Sequence, residues 1–165
     1  MSEFSSGPIE STENLARFVF SPLHLTKKGE IKPSLFSHVF NKGCSIQRDS
    51  IATNGELGVF IENFLAKDTK FKWEGAVIGK SEDLKKLLIE SSKTRALCLY
   101  DTAEKVNISH GEIHKASDMD EADEVELRHD LLKVFKSDLK FSPSSYRDGN
   151  LHTYIDENYH PQIVM

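Results

Sequence analysis

The chain has 165 residues, 38% of them hydrophobic and 28% charged, and a formal net charge of −5. That length suits one domain, and a domain of this size buries roughly 68–70% of the surface its unfolded chain exposes, so no metal or disulfide staple is required. An acidic balance argues against a duplex-binding face, and no window approaches the roughly 18 apolar residues of a membrane span. Cys44 and Cys98 are the two cysteines. They form neither a CxxC pair nor a disulfide framework, which places the chain in the cytoplasm as a reduced protein.

Taken in order, residues 1–12 are small and polar, without the basic and apolar regions of a secretory signal, and are expected to form a disordered tail. ARFVF (16–20) is a β-type run. The stretch from 21 to 43 is broken by Pro22, Gly29, Pro33 and Gly43. Such punctuation predicts a long loop, here with a short helix at 33–40. CSIQR (44–48) is a second strand. Thr53 and Glu56 have capping-box spacing, and Leu57, Phe60, Ile61, Phe64 and Leu65 follow as one helical stripe.

FKWEGAVIG (71–79) reads as a strand, and Ser81 opens a short helix with acids in its first turn. RALCLY (95–100) has the continuous apolarity of a central strand. VNISHGEIHKA (106–116) is expected to pair with it. Asp118 and Glu121 have the spacing that opens a third helix, over about 119–137. Residues 142–165 are irregular and aromatic, and Tyr146, Tyr154 and Tyr159 mark a candidate interface. The expected architecture is α+β: a mixed sheet of about five strands and about three helices, mainly on one face, over residues 13–141. A parallel crossover is expected across 71–100. Phe60, Phe64, Trp73, Leu97 and Leu99 are expected in the core.

Three functional expectations follow. The absence of nucleotide-loop, GxSxG and zinc-protease motifs, together with the long loop and the aromatic tail, favours a small binding or protein-interaction module. Its partner would be another protein or a second copy, with a homodimer as a candidate assembly. Second, strand alternation would set His110, Glu112 and His114 in one row, continuous with Val106 and Ile108. Two imidazoles and a carboxylate suit a divalent metal, with His24 or His38 as a fourth ligand, and a metal-dependent hydrolase would follow. Third, Arg17, Arg48 and His24 would converge where strands 16–20 and 44–48 pair, giving a nucleotide or phosphate binder. Lys27, Lys28 and Lys32 read as a solvated loop, because no aromatics interleave with them.

Overall fold

The structure, a computed structural model, describes residues 3–137 and 162–163. Its main sheet has six strands. They are Asn14–Ser21 (β1), Cys44–Arg48 (β3), Lys72–Lys80 (β4), Leu97–Asp101 (β5), His110–Lys115 (β6) and the two-residue Lys136–Ser137 (β7). The order is β5-β6-β3-β1-β4-β7, and every pairing is antiparallel. β1 is buried along nearly its whole length because it lies centrally, covered on both faces. That is why its sequence shows no alternation.

The α+β class, the strand number and the three longer helical segments follow the sequence expectation, whereas the pairing does not. β4 and β5 are not neighbours, so the crossover expected across 71–100 is not formed. Parallel pairing occurs instead between Glu30–Ile31 (β2) and Gln162–Ile163 (β8), which sets Ile31 against Ile163. Tyr146, Tyr154 and Tyr159 lie outside the described residues.

The two faces of the sheet carry separate apolar layers. On one face Leu15, Val19, Ile46, Val77 and Ile113 pack with the 3₁₀ segment Pro33–Phe40, with Ser81–Lys85 (α2) and with Glu121–Val134 (α3). Phe36 and Phe135 are wholly buried there. Full burial of such a side chain contributes about 1.5–3 kcal/mol. On the other face Ala16, Phe18, Phe20 and Ala76 meet Leu57 and Ile61 of Asn54–Leu65 (α1). This second layer is thinner. Leu97 lies in the core, but Phe60, Phe64 and Trp73 are only partly buried in the α1 layer, and Leu99 is only partly buried on the edge strand β5.

The helix starts show how local signals were used. Thr53 Oγ1 accepts from the Glu56 N–H at 3.4 Å and donates to the Glu56 carboxylate at 3.0 Å. The other carboxylate oxygen of Glu56 takes the Ile108 N–H at 2.6 Å instead of reaching back to the cap. Half of the capping box therefore ties α1 to the turn before β6. α3 is capped by Asp120, which accepts from the Asp123 N–H, two residues later than the Asp118 cap expected from sequence.

Two further expectations are corrected. Glu104 and Asn107 exchange backbone hydrogen bonds in a tight turn, so the strand starts at His110 and not at Val106. Residues 3–12 are packed rather than loose at their C-terminal half. Ile9 is 5% exposed, and the carbonyls of Gly7 and Pro8 accept hydrogen bonds from Arg48.

Candidate anion cleft between β1 and β3

Register creates the site. β1 pairs with β3 only through Leu15↔Arg48 and Ala16↔Gln47, whereas it follows β4 as far as Ser21. β3 meanwhile follows β6 back to Cys44. Beyond Ala16 the two central strands part, and side chains take over the hydrogen bonding that a ladder would have supplied.

Arg17 fills the parting. Its Nε and one terminal nitrogen donate to the Leu35 carbonyl at 3.2 and 3.1 Å, and the other donates to the Ser45 carbonyl at 3.2 Å. Arg17 is 8% exposed and, among the described residues, has no carboxylate partner. A guanidinium has five N–H groups. Three go to main-chain carbonyls, and the group also hydrogen-bonds the Cys44 thiol.

His24 closes the next step of the edge. The Phe20 N–H donates to His24 Nδ1 at 3.0 Å, and the His24 N–H donates to the Phe20 carbonyl at 2.8 Å. A ring nitrogen that accepts from a backbone amide carries no proton, so the proton of the neutral ring sits on Nε2. Burial, with the charges of Arg17, His38 and Lys32, lowers the His24 pKa to about 3. His24 is thus a neutral donor at physiological pH.

The cleft at this parting encloses about 310 Å³. Its lining combines the polar Arg17, His24, His38 and Lys42 with the aromatic Phe20, Phe60 and Phe64. Phe20 and Phe64 stack, with ring centroids 3.9 Å apart, and Lys67 lies 4.9 Å over Phe64. Among the described residues Glu112 is the one acid in the lining. Its position depends on Gly43, which has φ +92. A Cβ there would lie 2.4 Å from His114 Nε2 and 2.7 Å from Glu112 Oε1. Only glycine lets β6 side chains close over the start of β3. With Arg17, Lys42 and Lys67 against Glu112, the lining is net cationic although the chain is acidic.

The HGEIH row is real over its short length and differs from a ligand set. His110, Glu112 and His114 share one face, and Ile113 enters the core on the other. His114 lies 3.6 Å from Glu112 and edge-on to Tyr100. His110 turns away from both. Its Nδ1 meets Thr102 Oγ1 at 2.8 Å and its Nε2 meets Ser45 Oγ at 3.1 Å. Among the described residues no group of three or more His, Cys, Asp or Glu could hold a metal ion. Both nitrogens of His110 face hydroxyls, of Thr102 and Ser45, and not the Glu112–His114 pair.

Arg48 does not join Arg17. Its five N–H groups go to both Glu13 oxygens at 2.8 Å, to Asp101 at 3.2 Å, and to the carbonyls of Gly7 and Pro8. Ser5 also bonds Asp101. A hollow of about 460 Å³ beside this network is lined by Glu10, Glu13 and Asp49 as well as Arg48, so it repels anions. Of the anion-binding trio expected from sequence, Arg17 and His24 come together and Arg48 stands apart. Ser45, Lys42, Lys67 and Thr102 carried no local signal. Ser45 would have been found only from the register that sets it diagonal to His110.

Comparison with family models, with curated proteins and with solved structures gives no match. Among the described residues no helix is long and apolar enough to cross a membrane.

Proposed function

We propose that this chain is a binding module for a small organic anion, a phosphate or carboxylate joined to an apolar or aromatic body, seated between β1 and β3. The observation that carries this is Arg17. A buried cation without a carboxylate is costly unless a counter-charge reaches it. Arg17 spends its N–H groups on the neutral carbonyls of Leu35 and Ser45 and on the Cys44 thiol, and it lies in the cleft lining, so a ligand oxygen would supply that charge. His24 adds a neutral donor, and the Phe20–Phe64 wall would take the apolar body. Arg48 has no part in this site, because its donors are all spent.

Calorimetric titration with phenyl phosphate and with inorganic phosphate tests the reading. Phenyl phosphate should bind one-to-one and more tightly than inorganic phosphate, and Lys42→Ala should weaken both in proportion to the lost charge. If neither anion gives saturable heat at millimolar concentration, the cleft does not serve this purpose.

A further inference from the structure

The cleft wall holds a serine whose hydroxyl faces an oriented imidazole. Ser45 and His110 are diagonal partners across the β3–β6 ladder, where Gln47 opposes His110 and Ser45 opposes Glu112. Side chains on one face at this diagonal are within reach of each other. Ser45 Oγ lies 3.1 Å from His110 Nε2. On the far side of the ring, Nδ1 lies 2.8 Å from Thr102 Oγ1 and 3.4 Å from the Thr102 carbonyl. In the tautomer with its proton on Nδ1, the ring donates toward Thr102 and Nε2 keeps its lone pair for the Ser45 hydroxyl. Nucleophile, base and orienting group thus stand in the sequence that activates a serine. The third member is a hydroxyl and not a carboxylate, so it orients the ring without stabilising its charge. Ser45 also lines the anion cleft, beside Arg17, which donates to the Ser45 carbonyl.

We infer that Ser45 is a catalytic nucleophile and His110 its base, hydrolysing a carboxylic ester that carries an anionic group. This rests on the anion reading of the cleft, since Arg17 and Lys42 would hold the substrate's charge while Ser45 meets its ester. Ser45 Oγ attacks the carbonyl carbon and its proton passes to His110 Nε2. The carbonyl π pair moves to oxygen. When it returns, the bond to the leaving alkoxide breaks, and the alkoxide takes the proton from His110. Water then attacks the acyl-serine in the same way, giving its proton to His110. The carboxylic acid leaves and Ser45 regains the proton. Water is the only co-reactant. Thr102 is a positioning residue, acting through His110.

The test uses the full chain, a fluorophosphonate probe and the mono-4-nitrophenyl ester of succinic acid. Intact mass and peptide mapping should place one phosphonyl adduct on Ser45, and the ester should be hydrolysed with turnover. Ser45→Ala should lose both while keeping its melting temperature. His110→Asn should slow labelling and turnover by about 10²-fold or more. Thr102→Val should slow turnover by about tenfold with unchanged phenyl phosphate affinity, and Thr102→Ser should restore it. Phenyl phosphate binding with no adduct on Ser45, and with ester hydrolysis no faster than in Ser45→Ala, overturns the inference and leaves the cleft reading standing. An adduct on Ser45 without phenyl phosphate binding overturns the anionic substrate class and the cleft reading together.

Discussion

Two arginines are buried in neighbouring strands of one sheet, and their surroundings give them opposite roles. Arg48, 4% exposed, is saturated: two carboxylates and two carbonyls take all five of its N–H groups. Arg17, 8% exposed, has the carbonyls of Leu35 and Ser45 and the Cys44 thiol for partners and, among the described residues, no carboxylate. Arg48 binds residues 5–13 to the ends of β3 and β5 and is structural. Arg17 sits where the sheet parts and, among the described residues, pairs with no carboxylate. Burial alone does not distinguish a structural cation from a binding cation. The charge of the acceptors does: carboxylates meet Arg48, and neutral groups meet Arg17.

The largest expected effect comes from breaking the saturated side. Arg48→Met would strand Glu13 and Asp101 as buried charges, and removal of one partner from such a network costs about 3–5 kcal/mol. Urea unfolding should report that loss, and limited proteolysis should cut within residues 3–12. Phenyl phosphate affinity of the folded fraction should not change. A loss below about 1 kcal/mol would mean that Arg48 is not the anchor described here.

Acidification acts on the other side, through His24. Its folded pKa of about 3 lies below the 6.5 of an unfolded histidine. Between those values the unfolded chain holds the extra proton. Stability from this group is therefore complete above pH 6.5 and falls as the pH drops toward 3. The loss reaches about 3 kcal/mol by pH 4. Thermal or urea unfolding at several pH values should show the slope, and His24→Gln should flatten it. An unchanged slope in that variant would assign the acid sensitivity elsewhere.

Arg17→Met should cost less in stability, because it strands two carbonyls and no carboxylate: about 1–3 kcal/mol. It should nonetheless abolish phenyl phosphate binding. The pair of arginine variants thus separates stability from binding in opposite directions. Equal stability losses would erase the contrast. Gly43→Ala should have a similar or smaller effect on folding, about 1–3 kcal/mol for a non-glycine residue at positive φ. Displacing Glu112 and His114, it should also change affinity, readable in the same titration. Thr53→Ala should be smallest, at about 1 kcal/mol for a lost helix cap.

Local signals were legible in the sequence. Cys44–Arg48 and Pro33–Phe40 fall where their composition and punctuation put them, and Thr53 caps α1 through its expected partner. Alternation in HGEIHK correctly separated Ile113 from its polar neighbours. Non-local features were not legible. Nothing in ARFVF states that β3 leaves β1 after two residue pairs, and that departure makes the cleft. Arg17 and Arg48 are equivalent as residue types, and only the fold brings Glu13 and Asp101 to one of them. Ser45 and His110 are 65 positions apart, so their hydrogen bond depends on register alone.

The contrast between the two arginines can be read in one NMR titration. Buried guanidinium groups held by hydrogen bonds exchange slowly, which should make both Nε–H resonances observable in ¹⁵N-labelled protein, with Arg17→Lys and Arg48→Lys assigning them. On addition of phenyl phosphate, the Arg17 Nε–H signal should move to saturation while that of Arg48 stays fixed. If the Arg48 signal moves and that of Arg17 does not, or if phenyl phosphate leaves both where they were, Arg17 does not bind the anion and the account of the cleft is wrong.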